Sequence, residues 1–185
     1  MTNTDETKPA ARMLSLLHTG PLAIALRLTD QFIRIITGAP VRRFSAITPQ
    51  LYVGGQHRPR GWAKMQADGI TAVINMREAK HDDHADGIAP SHYLHLPTRD
   101  NTPVSLDDLQ QGVAFISAEI KRGGTVYVHC GVGVGRAPLM AAAYLISTGM
   151  TPAQALDKIR SVRPFIHPTP RQRKQLERFG ESRKS

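Results

Sequence analysis

Residues 126–139 read VYVHCGVGVGRAPL, and their reading decides the fold. Residues 125–129 (TVYVH) are β-branched and aromatic in the manner of a strand. A glycine-rich loop follows, Gly131-Val132-Gly133-Val134-Gly135, and residues 138–147 are apolar on all sides, as a central buried helix requires. In open α/β sheets the crevice beyond the strand carboxyl ends is where ligands bind. A helix N-terminus there presents free N–H groups and a positive dipole end, which suits an anion. The loop lacks the Gly-Lys-Ser/Thr of nucleotide P-loops and does not make G-x-G-x-x-G. Instead Cys130 precedes it and Arg136 ends it, with five residues between. Dipole, amides and guanidinium together favour a negatively charged sulfur at Cys130. Arg136 offers a planar fork that matches two oxygens of a phosphate. A thiolate facing such a cradle is a phosphoryl-transfer nucleophile.

Working outward, strands are expected at Leu51-Tyr52-Val53, ended by Gly54-Gly55, at residues 71–75 and at residues 92–96. Helices are expected at 62–67, from Ser105 to the Gly123-Gly124 stop, from Thr151-Pro152 onward, and at 168–179. Strands alternating with helices imply an α/β fold: a central, mainly parallel twisted sheet of 4–5 strands flanked by helices. The expected organisation is an N-terminal extension (1–45), a catalytic domain (46–180) and a basic tail (181–185). The extension carries an amphipathic helix at about 22–37. Its Arg27, Asp30, Gln31 and Arg34 fall on one narrow polar stripe and leave a broad apolar face. That face is expected to pack on the main domain; the alternative is a peripheral membrane contact or partner-binding helix.

With 185 residues the chain is about one domain on the usual length prior. A single Cys excludes an internal disulfide framework and multi-cysteine metal sites, and fits a reducing, cytoplasmic setting. The net charge of +9 is uneven, with seven Lys/Arg against two Glu in residues 163–185. Basic residues do not interleave with aromatics there, so no nucleic-acid partner is expected. The most apolar stretch, residues 13–36, is broken by Gly20-Pro21 and carries charges, which a spanning helix would not. The run at 13–17 is too short for a signal peptide.

His129-Cys130-x5-Arg136 resembles the loop of the cysteine-based protein tyrosine phosphatases, in particular their dual-specificity branch. ITPQLYVGGQ (47–56) and GITAVINMRE (69–78) are similar to the first two strands of that branch, and RPFIHPTPRQRKQLERF (163–179) to its closing helix, with Gln175-Leu176 at its Gln-Leu position. The resemblance implies a metal-independent phosphatase without cofactor, acting through a cysteinyl-phosphate on a phosphorylated protein or a small phosphomonoester. It implies Cys130 as nucleophile, residues 131–135 with Arg136 as phosphate cradle, and Asp100, in LPTRDNTPVS, as general acid. Asp82, Asp83 and Asp86 are weaker candidates. His129 is implied to order the loop by hydrogen bonding. The family usually has Ser or Thr after the Arg; Ala137 stands there, which bears on breakdown of the phosphocysteine. His81/His84 and His92/His95 are candidate metal pairs, but the second would straddle both faces of a strand. The loop has no Lys, which leans away from polyphosphorylated inositides, and no carbohydrate module favours glucan. The competing readings are a phosphate-binding pseudophosphatase or scaffold, a phospholipid or glucan phosphatase, and a rhodanese-type sulfurtransferase.

Overall fold

A computed structural model describes residues 20–83, 87–88 and 90–183. The apolar run at 13–17, His84 and Asp86 lie outside the described residues. The chain forms α1 (Pro21–Thr37), a 3-10 turn (Arg42–Phe44), β1 (Ala46–Thr48), β2 (Leu51–Gly55), α2 (Pro59–Ala67), β3 (Ala72–Asn75), β4 (His92–His95) and α3 (Leu106–Lys121). It continues through β5 (Val126–Cys130), α4 (Arg136–Ser147), α5 (Pro152–Val162) and α6 (Pro170–Ser182). The sheet order is β1-β2-β5-β3-β4, with β1 antiparallel to β2 and every other pair parallel. The expected α/β sheet of 4–5 strands is therefore present with five. β1, which pairs in an irregular register, is too short to leave a pattern in the sequence.

β5 sits at the centre because it can be buried on both faces. Val126, Tyr127, Val128 and His129 are all fully buried, as are Val73 and Ile74 of the neighbouring β3. Its end, Cys130, lies beside Gly55 at the end of β2. The catalytic loop thus leaves the sheet in the crevice between two parallel neighbours. α4 starts from that loop and is buried along most of its length, from Arg136 through Ala143 and again at Leu145 and Ile146. α3 approaches it closely: a Cβ at Gly112 would collide with Met140 of α4. Helix starts follow the expected chemistry. Ser105 accepts from the Asp108 N–H at 3.0 Å, and Thr151 and Thr169 each form a capping box with a Gln three residues on.

α1 has the expected bounds but packs the opposite way from expectation. Its polar stripe faces the domain, with Asp30 and Arg34 buried, while Leu22, Leu28, Phe32, Ile35 and Ile36 are exposed. The cause is Arg163, which follows α5 and is 0% exposed. It donates to the Phe44 carbonyl and stacks over the Phe165 ring at 4.6 Å. A buried guanidinium needs a counter-charge, and Asp30 of α1 supplies it at 3.3 Å. Arg34 adds a 2.6 Å bond to the Gln56 carbonyl just after β2. The side chains that a sequence reading assigns to solvent are the ones that attach the helix.

Removing one partner of this pair leaves the other charge buried and uncompensated. Asp30→Asn is expected to cost about 3–5 kcal/mol in urea unfolding, and the double variant Asp30→Asn/Arg163→Met is expected to recover part of that loss.

Candidate active site

The phosphate loop is held by its carbonyls. Gly131 O accepts from the Gln56 N–H at 3.1 Å and Val134 O from the His167 N–H at 2.7 Å. Gly133 O accepts from Nε of Arg163 at 3.2 Å. In a trans peptide the N–H points opposite the C=O. Three carbonyls drawn outward into the protein therefore turn the N–H groups of Val132, Val134 and Gly135 the other way, toward the hollow of the loop. Gly133 N–H donates to Sγ of Cys130 at 3.3 Å. Nucleophile and donors thus share one concavity at the N-terminus of α4, as anion binding demands.

Of the three loop glycines, Gly133 is the one the backbone requires. Its φ is +76°, and a Cβ there would collide with the Gly54 carbonyl group. Gly131 has room, with its nearest neighbour at 3.8 Å, and Gly135 would meet only the flexible Gln172 side chain.

Arg136 is 6% exposed and its orientation is set from outside the loop. Nη1 donates to the Met76 carbonyl at 3.1 Å and the Thr98 carbonyl at 2.6 Å, which follow β3 and β4. Nη2 meets Asp100 Oδ1 at 3.1 Å, and Nε is buried without a partner. The guanidinium is therefore clamped through Nη1, and of its Nε–Nη2 edge, the edge that takes two oxygens of a phosphate, Nε is unpartnered and Nη2 faces Asp100. Arg136 and Asp100, 36 positions apart in sequence, meet here, at the end of the loop that Cys130 opens. Asp100 is half exposed and accepts from the Asn101 N–H at 3.1 Å. Its loop is pinned on both sides, by Arg136 at Thr98 and by Gln172 Nε2, which donates to Thr102 O at 2.9 Å. The Thr-Pro-x-Gln capping pattern marks Gln172 in the sequence, but its second bond does not appear there.

His129 is fully buried, and its Nε2 lies 2.7 Å from Oδ2 of Asp83. Asp83 also accepts from Gln56 Nε2 at 2.9 Å. Burial pulls the Asp83 carboxyl up, but the hydrogen bond and charge of His129, with the Gln56 bond, outweigh it and hold it below the usual carboxylate range. Asp83, a weaker general-acid candidate in the sequence, is thus bonded to the residue that precedes Cys130. Asp82 instead accepts from the Tyr93 hydroxyl at 2.8 Å. Ala137 is fully buried at the start of α4.

Of the two histidine pairs, His81/His84 includes a residue outside the described ones, and the members of the other turn to different partners. His92 Nδ1 meets Glu119 at 2.7 Å, whereas His95 Nε2 bonds the Arg77 carbonyl at 2.9 Å. A different trio, His57, Asp83 and His129, brings ligand-type atoms within 4.8 Å of one another. Both Asp83 oxygens already accept hydrogen bonds, so the trio is a polar bracket beneath the loop.

His57 is the sensitive member of that bracket. Its Nε2 lies 3.0 Å from the Ile88 carbonyl, which fixes the proton there, and Nδ1 is buried without a partner. Burial, aided by the charge of His129, lowers its pKa to about 4. An unfolded His binds a proton near pH 6.5. Between about 6.5 and 4 the unfolded state therefore holds more protons, and stability falls as pH drops through this window, by on the order of 3 kcal/mol. Chemical denaturation across this range is expected to show that loss in the wild type and a flatter profile in His57→Gln. The Asp83 contribution is lost only at lower pH, below the usual carboxylate range.

The family model "Dual specificity phosphatase, catalytic domain" matches residues 51–182. Dual specificity protein phosphatase 2 of Mus musculus is 34% identical over 133 residues, 71% of this chain and 40% of that protein. The chain thus spans less than half the length of that relative. The phosphatidylglycerophosphate phosphatase PTPMT2 of Arabidopsis thaliana is 40% identical over 158 residues, 83% of this chain and 69% of that protein. Among solved structures, PTPMT1 in complex with PI(5)P superposes with a TM-score of 0.68 at 25% identity, covering 75% of this chain and 97% of that one. These matches coincide with a five-stranded sheet that delivers Cys130 and Arg136 to one anion cradle, and the chain belongs to the dual specificity phosphatase catalytic-domain family.

Proposed function

We propose that this chain hydrolyses a phosphate monoester on a phospholipid headgroup, of the phosphatidylglycerophosphate type, through a cysteinyl-phosphate. The clamped Arg136, with its buried unpartnered Nε and its Nη2 beside Asp100, carries the phosphatase reading. The Cys130 sulfur attacks phosphorus while Asp100 gives its proton to the departing alkoxide. The Asp100 carboxylate then takes a proton from water as that water attacks the phosphocysteine, releasing inorganic phosphate and the sulfur. The inward N–H groups and Arg136 hold the equatorial oxygens through both steps. The pairing of Arg136 with Asp100, and the Cys130 sulfur within the same loop, favour an enzyme over a pseudophosphatase, and the family assignment leaves the sulfurtransferase reading without support.

Protein substrates are the first expectation from sequence, and the 34% identity to a dual specificity protein phosphatase keeps that reading alive. The lipid reading is preferred because the match to the phosphatidylglycerophosphate phosphatase is higher in identity and longer in both chains. A cradle without Lys fits a single phosphate better than a polyphosphorylated headgroup. Phosphate release should be compared for detergent-dispersed phosphatidylglycerophosphate, phosphotyrosine and phosphothreonine peptides. The lipid is expected to give a kcat/KM at least about tenfold higher, insensitive to chelator and abolished by Cys130→Ser. A preference for peptides overturns the lipid reading, and no turnover of any substrate overturns the enzyme.

Ala137 generates a kinetic prediction. With no hydroxyl there, the leaving sulfur is stabilised by the Gly133 N–H. A missing hydrogen bond to a developing thiolate is worth about 1.5–3 kcal/mol, or about ten- to a hundredfold in that step. The wild type is therefore expected to accumulate phosphoenzyme and show a burst with an aryl phosphate in rapid-quench experiments. Ala137→Ser is expected to raise steady-state turnover and shrink the burst at an unchanged burst rate.

A further inference from the structure

We infer that the outward face of α1 is a docking surface for an anionic bilayer. The large hydrophobic side chains exposed among the described residues are Leu22, Leu28, Phe32, Ile35 and Ile36, and all five lie on α1. Leu28, Phe32, Ile35 and Ile36 recur at i, i+4, i+7 and i+8 and so share one side of the helix. Asp30 and Arg34 occupy the opposite side and are consumed in attaching it to the domain. A helix whose polar side is spent inward and whose apolar side is turned outward has the polarity of an interfacial helix. No helix among the described residues is long and apolar enough to cross a membrane, so the contact is peripheral.

Charge identifies the occupant. Residues 21–67 contain seven Lys/Arg and one acidic residue, and that residue is the buried Asp30. Four of the cations gather at the C-terminal end of α1. Arg42 and Arg43 follow it in the chain. Arg58 donates its N–H to Gly38 O, and Arg60 donates to Ile35 O. All four are exposed. An apolar strip bordered by arginines matches acyl chains beneath anionic headgroups. A second copy of the chain fits poorly, because twofold pairing of this face would bring two arginine clusters together without a carboxylate between them.

The position of the helix links the surface to the site. Arg34 holds the Gln56 carbonyl, whose own N–H holds the loop at Gly131. Asp30 pairs with Arg163, which holds Gly133. α1 is therefore attached to the same two residues that hold the outer side of the loop. The inference deepens the lipid reading but has a separate readout.

The test is flotation of the full chain with phosphatidylcholine vesicles and with phosphatidylcholine–phosphatidylglycerol vesicles, alongside light scattering without lipid. The wild type is expected to bind the phosphatidylglycerol vesicles preferentially and to weaken with added salt. Leu28→Ser/Phe32→Ser is expected to lose at least about tenfold in vesicle affinity while hydrolysing a soluble aryl phosphate at the wild-type rate. Arg42→Gln/Arg43→Gln is expected to lose the preference for anionic vesicles. Absence of binding to phosphatidylglycerol vesicles, or equal binding by the Leu28/Phe32 variant, overturns the proposal. So does a wild-type dimer that the variant dissociates without any vesicle binding. Vesicle binding without release of phosphate from lipid would instead remove the substrate proposal and leave this one standing.

Discussion

Everything in this site depends on where three carbonyl groups point. Backbone amides cannot be aimed individually; an amide turns inward only when the carbonyl of the same peptide plane is drawn outward. Partners for Gly131, Gly133 and Val134 come from three different places: the backbone after β2, the Arg163 side chain after α5, and the backbone at His167 before α6. The loop also has to lie against β2, and the contact between Gly133 and Gly54 is close enough to exclude a side chain. The sheet order that places β5 next to β2 is therefore part of the catalytic apparatus, because it fixes the wall against which the cradle is shaped.

The same demand explains why the N-terminal helix packs with its polar side inward. Arg163 is buried to reach Gly133, and a buried guanidinium needs a carboxylate. Exposed apolar side chains forgo a transfer gain of roughly 1.5–3 kcal/mol each. An uncompensated buried charge costs several kcal/mol, less than the exposed side chains of α1 forgo together, so the inward polar side accounts for where the helix is attached and not for the exposure of its apolar side. The domain takes its counter-ion from α1, and the apolar face is left for another environment.

Charge on the reacting groups is managed by neighbours at different distances. Arg136 touches the site directly, but two carbonyls after β3 and β4 decide which edge it presents. His129 and Asp83 form a buried bond beneath the nucleophile, and His57 beside them is kept neutral by burial. The loop that carries Asp100 is tied to Arg136 at one end and to Gln172 of the final helix at the other.

Strand, loop and helix around Cys130 were legible in the sequence because each is a local pattern: β-branched residues, alternating glycines, then an apolar run. The Cys-x5-Arg spacing was legible in the residues themselves and Asp100 through family resemblance, and the structure brings Arg136 and Asp100 together. Asp83, Gln172, Arg163 and Asp30 were not legible as site residues, since each acts through a partner between 30 and 133 positions away. The helix at 21–37 shows the limit most clearly. Periodicity fixed which side chains share a face, but which face turns inward depended on a buried arginine from the far end of the chain, and only the tertiary structure decides that.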